Sequence, residues 1–85
     1  MPLKYIMLEM DGGQFLPVLF PEFMQHSHMA QSIPATVVSA GRVYLEDGKV
    51  VARGSSSSLG VSARDEDSEI IQGYFDGEQT IHHQR

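Results

Sequence analysis

The chain of 85 residues has no cysteine and no tryptophan, and only 6 of its residues are lysine or arginine. The absence of cysteine excludes disulfides, thiolate metal sites and cysteine nucleophiles. A small domain without disulfides is typical of a reducing compartment, so we expect a cytoplasmic protein. The basic residues are spread along the chain and the net charge is −5, which disfavours direct nucleic-acid binding.

Long apolar runs are also absent from the sequence. No stretch approaches the roughly 20 apolar residues that span a bilayer, and the N-terminus lacks the basic region and cleavage site of a signal peptide. We therefore expect no membrane association. A chain of 85 residues predicts one domain, with a net stability on the order of 5 kcal/mol.

One layout is present twice along the chain. Strand patterns over Tyr5–Met10 and Phe15–Phe20 flank Asp11-Gly12-Gly13, a sequence that favours a tight hairpin. Pro17 lacks an amide hydrogen, so the second strand is predicted at a sheet edge or with Pro17 facing outward. A short helix is predicted to follow, from Glu22 to Ser32.

The second unit repeats this order. Val37–Leu45 and Val50–Arg53 have strand patterns around the turn Asp47-Gly48, and Gly41 in mid-strand indicates a bulge or a close backbone approach. A helix is predicted to open at Ser62 as its N-cap.

Two such units predict an α+β fold of order ββαββα, with one four-stranded antiparallel sheet and two helices packed on one face. The domain covers residues 1–77, and residues 78–85 are predicted to form a flexible tail after Gly77. The other sheet face would stay exposed and carry Tyr5, Met7, Arg42 and Tyr44. We expect a partner or a second subunit, with a dimer favoured, to bind this face or an open edge strand.

The most unusual local feature is a run of four serines, Ser55, Ser56, Ser57 and Ser58. Their hydroxyl and backbone N–H groups could hold an anion, with Arg53 and Arg64 supplying charge-assisted hydrogen bonds. The run lacks the Gly-Lys-Ser/Thr ending of a P-loop. The alternative is a linker whose hydroxyls bond their own backbone, and both interpretations stay open.

No catalytic or metal signature rises above background. His26 and His28 would point about 200° apart on a helix, so they could not share one ion, and His82-His83 lies in the predicted tail. The acidic run Asp65-Glu66-Asp67 is predicted as a solvated helix start, where negative charge favours the helix dipole. Serines, histidines and carboxylates form no triad-like arrangement. We expect a protein without enzymatic activity, cofactor or bound metal.

Several segments resemble a group of small uncharacterised proteins from bacteriophages and prophages. The segments are Lys4–Glu9, Val18–Pro21, Val38–Gly41 and Gly54–Ile71, and the similarity covers about residues 3 to 75. Asp65 stands where the group usually has proline. The group has no activity that can be transferred. The resemblance implies a phage accessory protein in the bacterial cytoplasm, of a kind that often acts by binding a host protein.

Three functions follow as hypotheses. The first is a small non-enzymatic interaction protein that forms a homo-oligomer and that binds and modulates a host protein. The alternative is a protein that binds a small phosphate-bearing ligand or a nucleotide at the serine run. A small hydrolase is a third hypothesis, which no arrangement of residues favours.

Overall fold

The computed structural model describes residues 2–77 and shows a small α+β fold, as the sequence predicts. Its elements are β1 (Leu3–Glu9), β2 (Phe15–Phe20), α1 (His26–Gln31), β3 (Thr36–Glu46), β4 (Lys49–Arg53), β5 (Ser55–Ser56), β6 (Val61–Ser62) and α2 (Asp67–Phe75). The predicted tail, residues 78–85, lies outside the described residues. No helix within residues 2–77 combines the length and the apolar character needed to cross a membrane.

Strands β1 to β4 form one antiparallel sheet in the order β2-β1-β3-β4. The prediction of a four-stranded antiparallel sheet is confirmed, with β1 and β3 at its centre. Asp47 and Gly48 have φ angles of 55° and 79°, as a two-residue hairpin requires. Pro17 lies opposite Met7 in β2, which is an edge strand, as its missing amide hydrogen predicts.

Gly41 makes the close backbone approach that its place in mid-strand indicated. A Cβ atom at this position would lie 2.5 Å from the carbonyl oxygen of Arg53 in β4. The bulge lies elsewhere, because the register between β1 and β3 shifts between Met7 and Leu8. Close packing of two backbones therefore explains this glycine.

The two helices lie on opposite faces of the sheet, so the prediction that both cover one face is wrong. Tyr5 and Met7 pack in one cluster with Ile71 of α2. Ile6 and Leu8 point the other way, into a cluster that includes residues of α1, of β6 and of the loop before β6. The physical reason is the apolar character of β1 on both sides: residues 5–8 are each at most 1% exposed, which needs cover on both faces.

The chain between β4 and α2 also differs from the prediction. Instead of a helix that opens at Ser62, Ser55–Ser56 pairs with Val61–Ser62 as a small antiparallel hairpin. Helix α2 begins only at Asp67. It ends as predicted, because Gly77 follows its C-cap with a φ of 77°.

Helix α1 is shorter than the predicted segment. It begins at His26, four residues after the predicted start at Glu22. A turn precedes it, closed by a hydrogen bond from the amide of Met24 to the carbonyl oxygen of Pro21. The proline thus opens a turn, and the helix follows after it.

Candidate functional site

The surface predicted from Tyr5, Met7, Arg42 and Tyr44 is not formed. Tyr5 and Met7 are 0% exposed and pack in the cluster of α2. Tyr5 pairs with Gly41 across the strands, so Gly41, and not Arg42, shares its face. Arg42 and Tyr44 therefore lie on the opposite face of the sheet from Tyr5.

A buried carboxylate ties α2 to that sheet face. Oδ2 of Asp67 accepts hydrogen bonds from the hydroxyls of Tyr5 at 2.5 Å and Ser39 at 2.6 Å, and from the backbone N–H of Arg64 at 3.0 Å. Oδ1 accepts bonds from Nε and Nη2 of Arg64 at 3.1 and 3.0 Å. Asp67 is 0% exposed, so the prediction of a solvated helix start is wrong at this residue.

The electrostatics of this network favour one protonation state. Burial raises the pKa of Asp67, but hydrogen bonds from Ser39, Tyr5 and Arg64 outweigh burial and hold the pKa below its usual value. Burial, together with the bond to the Asp67 carboxylate, raises the pKa of Tyr5. Asp67 is therefore a carboxylate that accepts a hydrogen bond from the neutral phenol of Tyr5. Because its other donors come from β3 and from the residues before α2, the network holds the sheet and the helix together.

The two arginines predicted to flank an anion at the serine run are engaged elsewhere. Arg64 is held by the buried carboxylate, and its guanidinium carbon lies 4.7 Å from the centre of the Phe15 ring. Arg53 pairs with Glu46 and lies 4.9 Å from the centre of the Tyr44 ring. Neither arginine lines the cleft that contains the serines, so the predicted anion site is not assembled from these residues.

The serine run lines a cleft of about 310 Å³ with a different set of charged residues. The lining residues are Lys4, Gln25, His26, Arg42, Ser55, Ser56, Ser57 and Ser58, and we call this the polar cleft. Strands β1 and β3 supply the two cations, α1 and its N-cap supply the histidine and the glutamine, and the loop from β5 toward β6 supplies the serines. Four separate parts of the chain therefore meet at one polar depression.

Both cations of the polar cleft have a protein partner, and one of them keeps donors free. Nζ of Lys4 donates to the carbonyl oxygen of Met24 at 2.8 Å. Nε of Arg42 donates to Oε2 of Glu22 at 3.2 Å. No acceptor within residues 2–77 binds the terminal nitrogens of Arg42. These nitrogens are hydrogen-bond donors that remain available to a ligand.

His26 forms a buried wall of the polar cleft. It is 5% exposed, packs edge-on against Phe20 with ring centres 5.5 Å apart, and has Nε2 3.0 Å from the carbonyl oxygen of Gly41. Because a carbonyl oxygen only accepts, Nε2 carries the proton. Burial lowers the pKa of His26, the bond to Gly41 opposes this, and the charges of Lys4 and Arg42 lower it further.

His28, the other histidine of α1, is exposed. Among residues 2–77, no three histidine or acidic side chains are grouped closely enough to hold a metal ion.

The serines themselves divide into two kinds. Ser56 is 2% exposed, and its hydroxyl accepts a bond from the amide of Leu59 at 3.2 Å and lies 3.3 Å from the hydroxyl of Ser58. This is the pattern that the linker interpretation predicts. Ser55 and Ser57 are exposed, and their hydroxyls have no partner in the described part of the chain. The linker interpretation therefore describes Ser56 and Ser58, and the hydroxyls of Ser55 and Ser57 remain available to a ligand.

A second feature is a group of exposed apolar side chains where β1 begins. Phe23 is 85% exposed, Leu45 71% and Phe75 53%. Pro2 and Leu3 line two shallow clefts, one shared with Leu45 and Phe75 and the other with Phe23. We call Pro2, Leu3, Phe23, Leu45 and Phe75 the apolar end.

The edge strands of the sheet have fewer free backbone N–H groups for a partner strand than the sequence suggested. The amide of Val50 donates to Oε1 of Gln72 at 2.8 Å, and that of Ala52 donates to Oγ of Ser68 at 2.9 Å. Side chains of α2 thus occupy donors that a further strand would need at β4. At the other edge, Pro17 supplies no amide hydrogen. Strand addition is disfavoured at both edges.

Comparison with family models, with curated proteins and with solved structures finds no match to this chain. The geometry of its own residues is therefore the basis for a function. Sequence reasoning missed Lys4 and His26 in the polar cleft and the role of Asp67. One signal pointed to the last of these, the opposite charges of Arg64 and Asp67 at a spacing of three residues.

Proposed function

We propose that this chain is a small non-enzymatic protein-binding module and that the apolar end is its contact surface. The observation that carries the proposal is that two of the four phenylalanines, Phe23 and Phe75, are more than half exposed. Large exposed aromatic side chains grouped in one place are typical of protein contact sites. The resemblance to phage and prophage proteins supports a bacterial host protein as the partner, bound in the cytoplasm and modulated by this contact.

The physical argument is the free energy available at the apolar end. Burial of apolar surface contributes about 25 cal/mol per Å² removed from water. Side chains at the centre of an interface, above all aromatic ones, contribute most of the binding energy. Leu3 stands between the clefts that hold Phe75 and Phe23, so one partner could cover both. The covered sheet faces and blocked edges leave this end as the strongest apolar contact site in residues 2–77.

Photo-crosslinking at single positions tests the proposal. A photoreactive phenylalanine analogue replaces Phe23, Leu45 or Phe75 in three separate variants, and the protein is irradiated in bacterial cells. We expect the same discrete adduct from all three positions. The matched control carries the analogue at Gln14, an exposed residue beyond the far end of β1, which lies roughly 20 Å away at 3.3 Å per strand residue.

The outcome also identifies the partner. An adduct of twice the chain mass indicates the homodimer that the sequence predicts, and a heavier or lighter one indicates a different protein. The double variant Phe23→Ser with Leu45→Ser should abolish the adduct formed from position 75 while leaving the circular dichroism spectrum unchanged. Absence of adducts at all three positions, or an equal adduct at Gln14, would overturn the proposal.

A further inference from the structure

We propose that the polar cleft binds a small phosphate-bearing anion through Lys4, Arg42 and the hydroxyls of the serine run. The proposal is independent of the apolar end, because the two sites share no lining residue. The cations differ from those that the sequence alone suggested, since the fold places Lys4 and Arg42 at the serines and holds Arg64 at Asp67.

The first argument is a row of three cations across the sheet. Lys4 of β1 lies opposite Arg42 of β3, and Arg42 lies opposite Arg53 of β4. Like charges directly opposite each other on neighbouring strands are destabilising. Half of the six lysines and arginines in a chain of net charge −5 lie in this one row. A bound anion would offset the repulsion that the row creates.

Carboxylates of the protein neutralise the positive charge of this row only in part. Glu22 pairs with Arg42, and Glu46 pairs with Arg53. Lys4 has a neutral carbonyl oxygen as its partner. Three cations and two carboxylates leave one positive charge, and the bulk of the unpaired charge lies at Lys4, beside the serine run. This is the position where an anion is attracted most strongly.

The donors of the polar cleft fit the geometry of a phosphate group. Arg42 keeps its terminal nitrogens, which can bond two oxygens at once. The free hydroxyls of Ser55 and Ser57 approach from the loop side, and Lys4 approaches from β1. Donors that come from three directions suit the several oxygens of a tetrahedral phosphate. A flat carboxylate would use the arginine and leave the others without a partner.

His26 shapes the cleft without binding the anion directly. Its Nε2–H is committed to the carbonyl oxygen of Gly41, and the ring is packed against Phe20. The cleft volume of about 310 Å³ admits a phosphate and a small attached group. The ligand class is therefore inorganic phosphate or a small phosphate monoester.

Titration of the whole chain with inorganic phosphate and with glycerol 3-phosphate tests this site, with potassium chloride at equal ionic strength as the reference. Binding is measured by calorimetry and by amide chemical shifts. We expect saturable binding with the largest shifts at Ser55, Ser57 and the side chain of Arg42. Chloride should leave these signals unchanged.

Four variants complete the test, and one of them is a control outside the cleft. Lys4→Met and Arg42→Gln should each weaken binding roughly tenfold or more, because each removes a charge-assisted hydrogen bond. Arg42→Lys keeps the charge but loses the two-pronged donor, and should give an intermediate loss. Lys49→Met removes a cation from the exposed start of β4, outside the cleft, and should leave binding unchanged within about twofold.

Two results would overturn the proposal. One is that the folded chain shows no saturable binding at phosphate concentrations up to roughly 10 millimolar, which corresponds to very weak affinity. The other is an equal loss of binding in Lys49→Met and Lys4→Met, which would show attraction by net charge without a site. Chemical shifts that keep the folded pattern in each variant exclude unfolding as the cause of a loss.

Discussion

The hydroxyl of Tyr5 in the first strand donates a hydrogen bond of 2.5 Å to Oδ2 of Asp67, 62 positions later at the start of α2. Ser39 of β3 donates to the same oxygen at 2.6 Å. One buried carboxylate therefore joins the two central strands to the helix that covers them. This contact, with the apolar cluster around Ile71, closes the sheet face that the sequence pattern left open.

Removal of the Tyr5 hydroxyl should destabilise the fold. Tyr5→Phe leaves a buried carboxylate with one donor fewer, so we expect the free energy of unfolding to fall by about 1–3 kcal/mol. Urea denaturation measures the change. Tyr44→Phe is the matched control, because the Tyr44 hydroxyl has no hydrogen-bond partner within residues 2–77 and the ring that Arg53 covers is kept. Equal losses in the two variants would contradict the role assigned to Asp67.

Acidification should destabilise the protein through His26. Its pKa is lowered in the folded state, so the folded chain resists a proton that the unfolded chain accepts near pH 6.5. The stabilisation is complete above that pH and is lost as the pH falls toward the folded pKa. His26→Gln should flatten the dependence of unfolding free energy on pH between roughly 7.5 and 5.

The exposed histidine of the same helix provides the control for this experiment. His28→Gln should keep the pH dependence of the unmodified chain. If the two glutamine variants showed the same slope over this range, burial of His26 would not be its source.

A methyl group at Gly41 should force β3 and β4 apart. The added Cβ of Gly41→Ala would lie 2.5 Å from the backbone oxygen of Arg53, too close for any ordinary contact. We expect a loss of about 1–3 kcal/mol in the free energy of unfolding, with amide shifts centred on Arg53. Thr36→Ala, at the exposed start of the same strand, should change stability by less. A Gly41→Ala chain as stable as the unmodified one would contradict the close approach.

The side chains that occupy the donors of β4 should limit self-association. In the double variant Ser68→Ala with Gln72→Ala, the amides of Val50 and Ala52 lose their acceptors and become available to another strand. Light scattering at increasing concentration should show more aggregation than for Glu69→Ala, which alters an exposed position of the same helix. Identical scattering from the two proteins would show that these contacts do not protect the edge.

The strands were predictable because their signals are local. Alternation of apolar residues and the Asp47-Gly48 turn determine β3 and β4, and the lack of an amide hydrogen on Pro17 determines its edge position. The placement of the helices was not predictable in this way. Both faces of Tyr5–Leu8 are apolar, so the pattern shows that the strand is central without showing which helix covers which face.

The residues of the polar cleft come from parts of the chain that are far apart in the sequence, so local sequence patterns do not predict that they meet. Lys4 and Arg42 meet only because of the register between β1 and β3, and Arg53 joins them through the register of the β3–β4 hairpin. Three of the four residues in the hairpin formed by Ser55–Ser56 and Val61–Ser62 are serines, which are not among the residues enriched in strands, and this is why a linker and a helix start were predicted there.

The central claim is that the cover of α2 over the sheet leaves the apolar end as the accessible apolar surface. Met7 and Leu45 share the sheet face on which α2 packs, yet Met7 is 0% and Leu45 71% exposed. Since the chain has no cysteine, the rate of thiol labelling in Met7→Cys and Leu45→Cys reports each position alone. The account predicts rapid labelling of the thiol at position 45 and labelling at position 7 at least about 100-fold slower, at the rate of unfolding. Equally rapid labelling at both positions, in variants whose circular dichroism shows a folded chain, would contradict it.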